Sequence, residues 1–141
     1  MRIVFDPKTL HQSKMGSVTA VVYFDFGGER QFPGAGWSDF VVVVVNWWLA
    51  ALDRICQGEI ETELRFMDGS YWVVVVAQDG ANLLLRCTGG RQDAEEVYEV
   101  VVRLRDLRSE LNNLASKVSQ ACAMAGIQSV DLDHLRKHLL N

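Results

Sequence analysis

The sequence predicts an α+β domain in which an antiparallel β-meander packs against an aromatic-rich helix and a long C-terminal amphipathic helix. Three observations carry this. Two Asp-Gly pairs, Asp68-Gly69 and Asp79-Gly80, separate three β-rich segments over 59–87 at the spacing of consecutive hairpins. Leu104, Leu107, Leu111, Leu114, Val118, Ala121 and Ala125 recur at alternating intervals of three and four, the apolar stripe of one helix ended by Gly126. Phe40 through Leu52 form an apolar run interrupted only by Asn46. A helix needs about 20 apolar residues to span a bilayer. This shorter run, bounded at once by Asp53 and Arg54, therefore reads as the buried hub of a soluble domain.

Taken in order, residues 2–5 read as a short strand that Pro7 ends, and the polar segment 8–14 as a loop. Residues 18–26 are β-rich, and Gly27-Gly28 supplies the positive dihedrals of a hairpin turn. Val41 to Val45 are β-branched, which favours a strand, yet an uninterrupted apolar run has no diagnostic period. A helix over about 39–57 is expected because Asp39 can cap free amides, Trp47, Ala51 and Ile55 recur every four residues, and Gly58 can stop it.

In the meander, two tight turns would set Leu64 opposite Val73, Arg65 opposite Trp72 and Phe66 opposite Tyr71, then Val74 opposite Leu85 and Val76 opposite Leu83. Asp93 with Glu96 mimics a capping box, and the long helical stripe extends back through Val100 and Val97. A strand over about 96–103 is preferred, since Val100, Val101 and Val102 are contiguous and a helix over 94–125 would be unusually long. A short helix over about 131–140 closes a single domain, 1–141, with no internal repeat or linker.

At 141 residues the chain is large enough to bury about two-thirds of its unfolded surface. Acidic residues exceed basic ones by 18 to 14, a net charge of −4 with no basic stripe, which argues against nucleic acid and suits a basic protein partner. The opening MRIVFDPKTL lacks a basic region followed by an apolar one, so neither secretion nor a membrane is expected and the cytoplasm is the default location. Cys56, Cys87 and Cys122 are odd in number and widely spaced, and read as small buried hydrophobes in a reducing compartment.

Catalytic chemistry is thinly represented. Pro33 to Trp37, PGAGW, lacks the Lys-Ser/Thr of a phosphate loop and the third glycine of a dinucleotide fingerprint, so its glycines read as bending the chain into the aromatic helix, with Trp37 closing over the core. His134 and His138 lie one helical turn apart with Asp131 nearby, but Arg136 and Lys137 between them disfavour a metal. His11 stands alone, no serine sits in a G-x-S-x-G elbow, and each cysteine lies in an apolar context. No catalytic residue, metal or cofactor is assigned, and the chain is not expected to be an enzyme.

The candidate partner-binding residues are Glu61, Glu63, Asp68 and Trp72. Glu59, Glu61 and Glu63 alternate along one strand face, and the expected register adds Trp72, Val74 and Val76, then Leu83 and Leu85 to that face. An apolar centre with an acidic edge is covered either by the chain's own helix or by a partner, the plain alternative being a solvated margin. Trp37, Trp47 and Trp48 read as structural.

Gly36-Trp37-Ser38-Asp39-Phe40, then Trp47-Trp48-Leu49, Phe66-Met67-Asp68-Gly69 and Tyr71-Trp72 together resemble the small immunity proteins of bacterial polymorphic toxin and contact-dependent growth inhibition systems. The likeness spans 32–88. It implies a cytoplasmic protein that binds a cognate toxin domain and blocks its active site or substrate groove. Many such toxins are nucleases with basic surfaces, which an acidic inhibitor complements. Binding surfaces in these families vary with the toxin, so the resemblance assigns no contact residue. Two other classes remain open: a small-ligand-binding or enzymatic domain with a pocket between the meander and the Trp47-Trp48 helix, and a structural subunit self-associating through the Leu104 to Ala125 stripe.

Overall fold

The computed structural model describes residues 1–90 and 95–140, and the backbone alone for 95–97. It is an α+β fold of two antiparallel sheets and three helices. The first sheet contains β1 (Arg2–Gln12), β2 (Val18–Asp25), β3 (Gln31–Phe32) and β4 (Ser38–Asp39), with β2 pairing all three others. The second is the meander β5 (Glu61–Arg65), β6 (Tyr71–Ala77), β7 (Asn82–Gly89) and β8 (Glu95–Arg103). Helix α1 (Val41–Cys56) joins the sheets, and α2 (Leu104–Met124) and α3 (Val130–Leu140) follow β8.

The valine run is helical. Val41, Val42, Val44, Val45, Trp48, Leu49, Leu52 and Ile55 are buried, because α1 is packed on several sides by β2, β5, α2 and α3. Gly58 sits just past its end at φ 104°. Two expectations for this helix need correction. Asp39 does not cap it: the cap position is Phe40 and makes no side-chain cap bond. Trp47, placed in the core by the four-residue spacing, is 41% exposed, and its neighbour Trp48 is the buried indole. The isolated polar residue Asn46 donates through Nδ2 to the Asp131 carbonyl at 2.9 Å, tying α1 to the start of α3.

Pro7 does not end β1. The strand lies at a sheet edge, where an imino nitrogen removes no ladder bond, and it continues to Gln12 through an irregularity between Asp6 and His11. There the Thr9 hydroxyl accepts from the Val21 amide at 2.8 Å in place of a ladder carbonyl. The expected loop over 8–14 is therefore largely strand. Gly27 and Gly28 turn the chain at φ 92° and 58°, as their pairing suggested.

The first meander hairpin keeps the expected register, Leu64 opposite Val73 and Arg65 opposite Trp72. The second does not: Val75 faces Leu85 and Ala77 faces Leu83, one residue from the expected pairing. The cause is Asp79, whose carboxylate accepts from the Ala81 and Asn82 amides at 2.7 and 2.8 Å. This lengthens the connection beyond Asp79-Gly80. The one-residue slip sends Leu83 and Leu85 to the buried side and Leu84 and Arg86 to the other.

From Glu95 onward the ambiguous segment is strand, pairing with β7 along its length. Asp93, half of the expected capping box, lies outside the described residues. The amphipathic stripe forms α2, with Leu107, Leu111, Leu114, Val118 and Cys122 buried and Gly126 at φ 69° after its end. Cys56 corrects the cysteine reading: it is exposed, with the Arg108 guanidinium donating to its Sγ at 2.8 Å, whereas Cys87 and Cys122 are buried.

One core unites both sheets, and aromatic rings join them. Trp48 packs against Phe24 of β2 at 5.0 Å between centroids and against Phe66, just after β5, at 5.3 Å. Trp37 lies over Phe66 and Tyr71, and Phe32 bridges Phe66, Tyr71 and Tyr98. Edge-to-face contacts predominate, the arrangement that ring quadrupoles favour.

Candidate functional site

Period-two alternation along the meander sorts its side chains into two faces. Leu64, Val73, Val75, Leu83, Leu85, Cys87 and Val102 point to the core. The opposite face carries Glu61, Glu63 and Arg65 of β5, Trp72, Val74 and Val76 of β6, Leu84, Arg86 and Thr88 of β7, and Glu99 and Val101 of β8. None of these is buried, and Val101 is 63% exposed. Helix α2 lies on the other side, against β1, α1 and α3, so it does not cover Trp72. The register across the sheet aligns Val76, Leu84 and Val101 in one apolar row that ends at Glu61.

The charges on this face are mostly matched. Arg65 meets Glu63 at 2.6 Å, and Arg86 meets Glu99 across the strands at 3.3 Å. Arg54 of α1 lies 3.6 Å from Glu59. Glu61 has no ion pair or side-chain hydrogen bond among the described residues. The expected acidic edge is thus matched at Glu59, Glu63 and Glu99 by Arg54, Arg65 and Arg86, and not at Glu61 among the described residues.

Of the four sequence-derived candidates, Glu61, Glu63 and Trp72 share this face, Trp72 half-buried beside Arg65. Asp68 sits at the tip of the first hairpin, where its carboxylate accepts from the Ser70 amide at 2.9 Å and orders the turn.

Beside β5 a groove of about 520 Å³ opens toward α1, lined by Trp47, Ala50 and Arg54 on the helix and by Glu61, Glu63 and Arg65 on the strand. Trp47, read as core in the sequence, is the aromatic wall of this groove. No local signal singles it out: adjacent pairs such as Val44-Val45 and Trp48-Leu49 are both buried on this helix, which is packed on several sides.

Asp39, which is 5% exposed, anchors the approach to the site from behind. Its carboxylate accepts from Trp37 Nε1 at 2.9 Å, from the Phe40 amide at 2.7 Å and from the Met67 amide at 3.3 Å. It therefore pins the loop before α1 to the end of β5. The glycines of PGAGW serve the same bend: Gly36 stands at φ 78°, and the Trp37 amide donates to the Gly34 carbonyl.

Elsewhere, no three His, Cys, Asp or Glu side chains among the described residues group in a way suited to a metal ion. His138 Nδ1 lies 3.8 Å from an Asp53 carboxylate oxygen. No helix among the described residues is long and apolar enough to cross a membrane. No family model, curated protein or solved structure matches the chain.

Proposed function

We propose that this protein is an immunity protein that binds a cognate toxin domain and neutralises it by covering its active site. The observation carrying this reading is the uncovered meander face, with an apolar row of Val76, Leu84 and Val101 toward one end, Trp72 toward the other, and the paired Arg86 and Glu99 between them. Contiguous apolar surface rimmed by polar groups marks a protein-binding site, and an aromatic residue amid satisfied charges is a hot-spot arrangement. The partner is a basic toxin domain, in keeping with the net charge of −4. Most of the α2 stripe, Leu107, Leu111, Leu114 and Val118, is spent on the chain's own core, while its end at Ala121 and Ala125 opens on a groove shared with Phe5 and Leu10.

The test is to sequence the genes flanking this one and to co-express the protein with any toxin domain they encode; flanking genes that encode none count against the reading. The expected result is protection of growth and a one-to-one complex on gel filtration. Continued toxicity with a folded, soluble protein present, and no complex, overturns the reading.

A further inference from the structure

Resting on that reading, we infer that the groove between α1 and β5 receives an extended segment of the partner, paired in part through its main chain and anchored by an arginine or lysine over Trp47. The argument begins with the backbone of β5. Ala77 donates its amide to the Ile60 carbonyl at 2.8 Å, which makes this pair hydrogen-bonded. In an antiparallel ladder the outward and inward groups alternate. With Glu61 opposite Val76, residues 60, 62 and 64 direct their amides and carbonyls to β6, while Glu61, Glu63 and Arg65 direct theirs away from the sheet.

The chain satisfies only the far end of that open edge. Trp48 Nε1 donates to the Arg65 carbonyl at 2.7 Å, and the next outward amide, of Met67, is held by Asp39. The amides and carbonyls of Glu61 and Glu63 have no partner of this kind among the described residues. An open strand edge is a template for another extended chain.

The side chains define the occupant. Trp47 presents an indole that is 41% exposed, and Ala50, the smallest side chain on this helix face, leaves the space beside it open. Opposite stands Glu61, a carboxylate with no ionic partner among the described residues. An aromatic face and a free carboxylate across a groove favour a cation, held by the ring quadrupole and the negative charge together. Arg54 and Arg65 at the margins, each already matched by a glutamate, disfavour an acidic segment.

The test uses the full chain and a defined probe, the peptide Ac-Thr-Arg-Val-Arg-Thr-NH2, followed by amide and indole NMR shifts. The expected result is a saturable shift of the Trp47 indole and of the Glu61 and Glu63 amides, with affinity at least tenfold weaker in Trp47→Ala and Glu61→Gln. The glutamate peptide Ac-Thr-Glu-Val-Glu-Thr-NH2 should not saturate, and N-methylation of the central valine should weaken the arginine peptide. Absence of saturable shifts, equal binding of the acidic peptide, or unchanged binding by both variants overturns the inference; undiminished binding of the N-methyl peptide overturns its main-chain part. This outcome is separable from that of the immunity reading. Failure of the peptide alongside protection of cells rejects the groove alone, and peptide binding without protection rejects neutralisation alone.

Discussion

Adjacent tryptophans on α1 divide the work of the molecule. Trp48 is fully buried between Phe24 and Phe66 and spends its N–H on Arg65, so Trp48→Ala removes packing and leaves a carbonyl unpaired. A loss of about 3 to 5 kcal/mol is expected in urea unfolding. Trp47→Ala should cost about 1 kcal/mol or less, since much of the ring already faces water. The thiols divide in a similar way. Burial pushes Cys87 up to about 12 and raises Cys122, whereas Cys56 is exposed. In the native protein one thiol should react promptly with an aromatic disulfide reagent, and Cys56→Ser should abolish that reaction. Asp25 supplies a pH signature: its carboxylate accepts from the Gly27 amide, Gln31 and Arg2, which hold its pKa at about 2, below the usual 3.8. Because folding lowers this pKa, the stabilisation is complete above about 3.8 and is lost as the pH falls through about 2. Carboxyl NMR titration checks the value, and in Asp25→Asn this part of the acid dependence should disappear.

At the level of elements, Asn46 explains how a polar group is tolerated in an apolar helix. Its amide reaches the first turn of α3, so Asn46→Leu should accelerate amide exchange in 130–140 while leaving the meander protected. The net cost is expected to be about 1 kcal/mol, a single hydrogen bond. Such long-range partnerships explain what was legible in the sequence. The α2 stripe, the α1 stop at Gly58 and the first hairpin follow from local spacing, and each has the expected form. The second hairpin was not legible, because Asp-Gly does not reveal which amides the aspartate will take. Asp79 takes two of them and shifts the register. Nor does Pro7 announce whether its strand will lie at an edge. For the candidate site, alternation placed Glu61, Glu63 and Trp72 on one face correctly. Trp47 was missed because a helix packed on several sides gives a hydrophobic pattern with no unique inward direction.

At the scale of the whole molecule, charge and apolar surface should act on different steps of association. The net charge of −4 spreads over the chain, while Glu63 and Glu99 are matched by Arg65 and Arg86, and Glu61 has no ion pair among the described residues. Exposed charges act over about a Debye length, roughly 10 Å at 0.1 M salt, and chiefly alter encounter. Against the cognate toxin, Glu61→Lys with Glu63→Lys should therefore slow association about tenfold at low salt, with most of the difference lost near 1 M salt. The row of Val76, Leu84 and Val101 should instead govern residence, since burying a charge there leaves it unpaired. Val101→Glu, at a 63% exposed position that folding does not require to be apolar, should raise the dissociation rate about tenfold or more and change association by about twofold or less. Stopped-flow association and competition-based dissociation at two salt concentrations separate these effects. If both folded variants retain wild-type rates, the meander face lies outside the interface. If only the lysine pair alters binding, contact is confined to the β5 edge and its groove, and the apolar row is a surface that the partner leaves uncovered.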